Sequence, residues 1–166
     1  MLCLTPLGAS DVARIRDWPS YPEDMAQMDY ALREGGWLDE SRAETFSYAA
    51  RDGEDLVGFT MLVRAGTDEA EFRIALRADR TGRGLGAAIT LLTLRAGFEE
   101  HRFSRIHLIV RKNNLRGIAL YRRIGFRDRG ECRRDIGGVA VDFWLMNMEM
   151  EEFGRLERTG SDNNTR

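Results

Sequence analysis

The segment Arg80-Thr81-Gly82-Arg83-Gly84-Leu85-Gly86 decides how the chain is read. Upstream of it, Glu71-Phe72-Arg73-Ile74-Ala75-Leu76-Arg77 alternates strictly, with Phe72, Ile74 and Leu76 on one face and charged or small side chains on the other. That is the period of a half-buried strand of antiparallel type. Downstream, Ile89, Leu92 and Ala96 mark one stripe of a helix over 85–102, and Leu91, Leu94 and Phe98 widen it until little polar surface remains. Such a helix is expected to lie buried against a sheet. Glycines between a strand and a helix let the backbone turn tightly and let a bulky group approach the amides. The first free N–H groups of the helix then point at that group with the helix dipole behind them, an arrangement suited to phosphate, and Arg80 and Arg83 add positive charge.

Two common phosphate loops are weighed against this segment. No Gly-Lys-Ser/Thr follows, so it is not a P-loop. Gly82-x-Gly84-x-x-Ala87 loosely satisfies the dinucleotide fingerprint. Its context argues otherwise. The preceding strand alternates where a buried parallel strand is continuously apolar. A long stretch of chain precedes that strand, and too little follows Ala96 for a second mononucleotide-binding half.

Working outward, Ser10-Asp11 is a plausible N-cap for a first helix through Val12, Ile15 and Arg16. Trp18-Pro19-Ser20-Tyr21-Pro22 breaks it, and Met25, Met28 and Leu32 give a second helix over 23–34, ended by Gly35-Gly36. From Thr45 the period becomes two, and an Asp-Gly turn at Asp52-Gly53 closes a hairpin whose return strand covers Leu56 to Leu62. After the long helix, Ile106–Val110 is a short strand. Asn113-Asn114 caps a helix that ends at Gly125, and strands over 126–134 and 139–150 join at Gly137-Gly138. The order is helix, helix, three antiparallel strands, helix, strand, helix, two strands.

The 166 residues, 43% of them hydrophobic, suit one compact domain. That domain is expected over 1–154, with 155–166 a polar, disordered tail. Cys3 and Cys132 lie far apart with no neighbouring metal-ligand spacing, so neither a disulfide framework nor a metal site is expected. No apolar run approaches bilayer length, and the opening MLCLTPLGASD lacks a basic segment followed by an apolar stretch, so the expectation is a cytoplasmic protein without a membrane contact. The net charge of −2 conceals a segregation. Residues 1–72 hold 15 acidic and 6 basic side chains, residues 73–134 hold 5 and 16, and residues 135–166 hold 7 and 3. A basic middle between acidic ends excludes a uniformly basic nucleic-acid surface but suits a small polyanion. Arg80, Arg83, Arg111, Lys112 and Arg116 lie near the expected phosphate positions.

A second block, Asn114-Leu115-Arg116-Gly117-Ile118-Ala119-Leu120-Tyr121-Arg122-Arg123-Ile124-Gly125-Phe126, completes a pair. With IALRADRTGRGLG and its helix, it resembles the GCN5-related N-acetyltransferase (GNAT) family: the first block is similar to that family's acetyl-CoA motif, the second to its "N, then LY, then GF" signature. The likeness covers residues 45–150. It implies a mixed α/β fold with a central, mostly antiparallel twisted sheet of about six to seven strands flanked by about four helices.

The resemblance also implies roles. The amides of Gly82, Arg83, Gly84, Leu85 and Gly86 would hold the coenzyme A pyrophosphate at the start of the helix that Ala87 continues, and the strand ending at Leu76-Arg77 would hydrogen-bond the pantetheine arm. Thr81 stands where the family has Gln or Arg, so affinity would rest more on Arg80 and Arg83. Asn114 and Tyr121 are two helical turns apart and share a face. By the resemblance that face lines the thioester pocket, with Arg116 beside it, and Tyr121 is the general acid for the departing thiolate. Glu71 is the candidate base. Where many relatives carry a glutamate on the strand after the long helix, this chain has Ile109. His107 is a weaker base candidate, and His101 is structural.

The first two helices and their loop would form the acceptor wall. Glu23, Asp24, Asp29, Glu34, Asp39 and Glu40 with Trp18, Tyr21 and Trp37 suit a cationic amine such as a polyamine or amino sugar, a peptide or protein amine remaining open. The expected activity is acetyl transfer from acetyl-CoA, as cosubstrate, to a primary amine by direct attack in a ternary complex, without a metal. The alternative is a non-catalytic acyl-CoA-binding domain of the same fold. An exposed edge near Val139–Met150 allows a homodimer as well as a monomer.

Overall fold

In the computed structural model, residues 1–40 and 44–162 are described, the side chains of Ser161 and Asp162 excepted. The strands are β1 (Leu2–Pro6), β2 (Thr45–Asp52), β3 (Asp55–Arg64), β4 (Glu69–Leu76), β5 (Arg105–Arg111), β6 (Arg127–Ile136) and β7 (Val139–Glu149), in the sheet order β1-β2-β3-β4-β5-β7-β6. The described residues form four α-helices: α1 (Ala9–Arg16), α2 (Leu85–Arg95), α3 (Leu115–Ile124) and α4 (Met150–Asp162). Pairings β1–β2, β2–β3, β5–β7 and β6–β7 are antiparallel, and β4–β5 is parallel. This is the mixed, mostly antiparallel sheet that the resemblance implies. Within the span expected to be one domain, the chain packs into two compact units: Met1–Arg64 with Phe72–Thr93, and Ala65–Glu71 with Leu94–Arg166.

In the first unit, alternation sends neighbouring residues into two different cores. Ala49, Leu56 and Ala75 join Ile15, Trp18, Tyr21, Leu32 and Phe59. Their chain neighbours Ala50, Val57, Ile74 and Leu76 pack instead with Ile89 of α2. Both faces are therefore covered, and the half-buried strand expected at 71–77 is covered on both sides. Each side chain of Leu, Ile or Phe size removed from water in this way contributes about 1.5–3 kcal/mol. Buried Thr93 fits that apolar setting by bonding the Thr60 hydroxyl and the Ile89 carbonyl, each at 2.9 Å.

In the second unit, β5 alternates, with Ile106, Leu108 and Val110 buried. Asn114 caps α3 by accepting from the Gly117 amide at 3.0 Å, and Gly125, at φ +124°, ends it. The Phe98 and Phe153 rings meet at 5.2 Å between centroids.

Several expectations are corrected. β1 went unread because Leu2-Cys3-Leu4-Thr5-Pro6 is a short edge strand ending in proline, which β2 completes by pairing. The cap of α1 is Gly8, not Ser10, because Asp11 reaches back to the Gly8 amide at 3.0 Å. Residues 23–32 form a 3-10 helix, not an α-helix, held at its start by Asp29 accepting from the Tyr21 amide at 3.2 Å. The long helix ends as α at Arg95 and continues as a π turn over Ala96–Glu100, where the His101 amide reaches the Ala96 carbonyl. The sheet edge beside β7 is β6. Residues 150–162, expected as strand end and disordered tail, form α4, anchored by buried Phe153 and the Arg95–Glu157 and Arg127–Glu152 pairs. The rest of the expected tail, 163–166, lies outside the described residues. No helix among the described residues is long and apolar enough to cross a membrane.

Asp11 is only 4% exposed and also pairs with Arg51. Burial alone would raise its pKa, but the Gly8 amide and Arg51 hold it below the usual carboxylate range. A lowered folded-state pKa stabilises above the unfolded-state value of about 3.9 and is lost as pH falls through the folded value. Asp11→Asn is therefore expected to lower the unfolding free energy at pH 7 by about 1–3 kcal/mol. Urea unfolding across pH should show the gap to the parent protein closing below about pH 4.

Candidate functional site

In the first unit, α2 begins at Leu85, where the glycine loop ends. Gly82 and Gly84 have φ of +74° and +77°, the left-handed region that favours glycine. Nothing lies within 4 Å of where a Gly84 side chain would begin, so conformation rather than crowding selects glycine there. The first-turn amides of Leu85, Gly86 and Ala87 have no acceptor within their helix. Such a turn offers donors to an anion with the helix dipole behind them. Thr81 donates its hydroxyl to the Ala78 carbonyl at 3.0 Å. It thereby ties the loop to the strand end instead of offering a long side chain.

The arginines divide. Arg77 forks between Asp55, at 2.9 Å, and Asp79, at 2.6 Å, and Arg80 also pairs with Asp55. Arg77 holds the Asp55 and Asp79 carboxyls below their usual range. These two cations are matched by two anions and are not open charges. Arg83 is exposed, with no hydrogen bond or ion pair among the described residues. The Arg77 amide donates to the Val57 carbonyl at 2.8 Å, so the backbone groups of Leu76 and Ile74 point away from β3. The Leu76 carbonyl accepts from the Tyr21 hydroxyl. Of the groups expected to contact pantetheine, the Leu76 carbonyl and the Arg77 amide are thus engaged within the protein.

Six of the nine residues of the expected acceptor wall are also committed within this unit. Trp18 and Tyr21 are core residues. Asp29 accepts from Arg33 at 3.0 Å, Asp39 from Arg16 and from the Gly35 amide at 2.7 Å, and Glu40 from Arg73 at 2.6 Å. Arg73 also lies over the Trp37 ring at 5.5 Å. An arginine of the chain itself occupies the aromatic–carboxylate setting read as a site for an amine cation. Glu23, Asp24 and Glu34 remain as exposed carboxylates.

In the second unit, α3 carries Asn114, Arg116 and Tyr121. The Asn114 carbonyl oxygen is engaged by its cap, and Arg116 is exposed. Tyr121 retains some exposure but meets Phe126 edge-on at 5.8 Å, and burial pushes its phenol up to about 12. It keeps its proton at any physiological pH. Lys112 pairs with Glu131 at 2.7 Å and lies over Trp144, so it too is a committed cation. The His101 amide serves the π turn and its ring lies near Phe103, as a structural residue would.

The first three pairs of the β4–β5 ladder bring Glu71 opposite His107. His107 Nε2 is 3.5 Å from Glu71, and Nδ1 is 3.2 Å from Glu69. Burial alone would lower the His107 pKa, but Glu71 and then Glu69 outweigh it and hold it above the usual value. Sequence reading singled out Glu71 and His107 separately and missed Glu69. The available signal was the two-residue spacing that puts both glutamates on one face of β4. Ile109, on the same side of β5 as His107, is an aliphatic residue where relatives carry a glutamate. Among the described residues, no three His, Cys, Asp or Glu side chains cluster in a way that could hold a metal ion.

The strand order and a glycine loop opening a buried helix define a class, the mixed α/β folds that offer backbone amides to an anion. The chain belongs to the acetyltransferase (GNAT) domain family, whose profile matches residues 2–127. It is similar to spermidine N(1)-acetyltransferase of Escherichia coli K12, 36% identical over 66 residues, which are 40% of this chain and 36% of that protein. The match thus spans about a third of that curated relative. A solved spermidine N-acetyltransferase from Vibrio cholerae in complex with CoA and spermine superposes with a TM-score of 0.72 at 18% identity, over 92% of this chain and 97% of that one. A spermidine/spermine N-acetyltransferase from the same organism in complex with manganese ions gives 0.72 at 18%, over 93% and 95%. At such identities the likeness shows the fold.

The Asn114 cap can be tested by stability alone. A side chain begun at Gly117 would meet the Asn114 amide at 2.6 Å, so cap and glycine are fitted together. Asn114→Ala is expected to lower the unfolding free energy by about 1 kcal/mol, read from the urea midpoint at unchanged slope.

Proposed function

We propose that the protein is an acetyl-CoA-dependent N-acetyltransferase acting on a primary amine by direct attack, and that both units belong to one catalytic domain. The observation that carries this is the glycine loop at the start of α2, with its left-handed Gly82 and Gly84 and the exposed Arg83, in a chain of the GNAT family. The fit to coenzyme A is chemical: first-turn amides and one open guanidinium for the pyrophosphate, and outward backbone groups of Ile74 and Leu76 for the amide-bearing arm. The acetyl thioester supplies the acyl group, and the amine nitrogen bonds to the acyl carbon as the C–S bond breaks.

The residues of the chain handle the protons. An aliphatic ammonium with a pKa of about 10 must lose its proton, which at neutral pH costs about 4 kcal/mol. Glu71, adjoining His107, is the base. Tyr121 acts at the leaving sulfur. A phenol near 12 facing a thiolate with a pKa of about 8.5 gives full proton transfer an uphill step of about 5 kcal/mol. Tyr121 therefore works chiefly as a hydrogen-bond donor as negative charge builds on sulfur. The acceptor is a small polyamine or a similar amine: the spermidine N(1)-acetyltransferase likeness supports this class, and Glu23, Asp24 and Glu34 are the carboxylates available to such a cation.

The test mixes the protein with acetyl-CoA and a panel of spermidine, glucosamine and a lysine peptide, following free thiol. Thiol release is expected with at least one, and Tyr121→Phe should lower kcat about 100-fold without weakening acetyl-CoA binding. Arg83→Ala should instead weaken acetyl-CoA binding, most at low salt. Acetyl-CoA binding without thiol release on any amine identifies a binding domain and refutes the enzyme.

A further inference from the structure

His107 is bracketed. Its ring and the Glu71 side chain are each only 16% exposed, and each ring nitrogen faces a carboxylate, Glu69 at Nδ1 and Glu71 at Nε2. A neutral imidazole has one N–H and can donate to only one of them. The closer contact is Nδ1 to Glu69 Oε1 at 3.2 Å, and Nε2 to Glu71 is 3.5 Å. In the neutral ring a proton on Nδ1 serves the closer contact and leaves the Nε2 lone pair facing Glu71. Between Nε2 and Glu71 there is then a place for one further proton.

We infer that Glu69, His107 and Glu71 form a proton relay, in which Glu71 takes a proton from the acceptor ammonium and passes it to His107 Nε2 while Glu69 positions the ring. This rests on the reading of Glu71 as the base. The balance is simple. The ammonium loses one proton and becomes the attacking amine, Glu71 gains and loses one, and His107 goes from imidazole to imidazolium. Glu69 neither gains nor loses a proton in this transfer.

The relay changes what Glu71 can do. A free glutamate carboxyl, with a pKa of about 4.3, is a poor match for an ammonium near 10, whereas a free imidazole starts about two pK units closer. The two glutamates bring it closer still. Arg73, two residues on from Glu71 along β4, pairs with Glu40 at 2.6 Å. Arg105, two residues back on β5, is held by Glu149 of β7 at 2.6 Å. Opposite His107 on β7 stands neutral Asn147, bonded by Arg129 of β6 at 2.9 Å.

The experiment is an NMR titration of the His107 ring in the intact protein, paired with kcat/KM against pH using spermidine as the amine, for the parent protein, Glu69→Gln, Glu71→Gln and His107→Gln. The Glu69→Gln amide oxygen can still accept from Nδ1, so the ring stays in place while one charge is removed. Expected for Glu69→Gln is a fall in the His107 pKa by about one unit, an acid limb displaced to lower pH by the same amount, and a roughly tenfold lower plateau, at unchanged KM for acetyl-CoA. A His107 pKa that does not move in Glu69→Gln overturns the relay, as does one that moves while the acid limb stays. Loss of turnover in Glu71→Gln with parent behaviour in Glu69→Gln and His107→Gln overturns the relay and leaves Glu71 as a lone base. Undiminished turnover in Glu71→Gln overturns the base assignment itself.

Discussion

The structure depends on β4 meeting two environments along eight residues. From Ile74 onward its side chains are divided between two apolar cores, Ala75 to one and Ile74 with Leu76 to the other. Before that point, Glu69 and Glu71 place carboxylates against a largely enclosed imidazole. Burying ionisable groups is unfavourable by several kcal/mol each unless they are paired. Here the pairing is supplied by the parallel ladder, which puts His107 opposite Glu71. Strand period decides the rest: a one-residue slip would send both glutamates to the other face and bring Ala70 and Phe72 onto this one.

Charge is distributed along the chain with a purpose different from the one its sum suggests. Acidic residues of 1–72 find basic partners in 73–134: Glu40 with Arg73, Asp55 with Arg77 and Arg80, Glu69 and Glu71 with His107. Part of the segregation is therefore the imprint of long-range pairing between distant segments. In the first unit the exposed cation left at the glycine loop is Arg83. Backbone donors of the kind found there suit a pyrophosphate, because amides are fixed in direction and lose no side-chain entropy on binding.

Local signals made much of this legible in advance. The glycine loop, the Asn114 cap, the Gly125 stop and the two tight hairpins each depend on residues within a few positions of one another, and each was found where expected. Tertiary contacts decide what was missed. β1 exists because β2 pairs with it. α4 carries only Phe153 and Leu156 as large apolar residues in Phe153-Gly154-Arg155-Leu156-Glu157-Arg158, too faint a stripe to announce a helix that partners elsewhere secure. The same limit held at the site. Asp29, Asp39 and Glu40 look like free charge in sequence, and only the fold reveals the arginines that engage them.

The two departures from the family pattern have local answers in the structure. At Thr81 a long side chain is replaced by a hydroxyl that fastens the loop to Ala78. At Ile109 a carboxylate is missing from β5. Residues two apart on a strand share a face, about 6.6 Å from one another. His107 therefore projects from the same side of β5 as Ile109, one step nearer the ladder with β4, where Glu69 and Glu71 lie within reach of its ring. The aliphatic side chain at 109 leaves no competing carboxylate on that side of the strand. The ionisable group on this side of β5 is therefore an imidazole bracketed by its β4 neighbours, two residues before the aliphatic position.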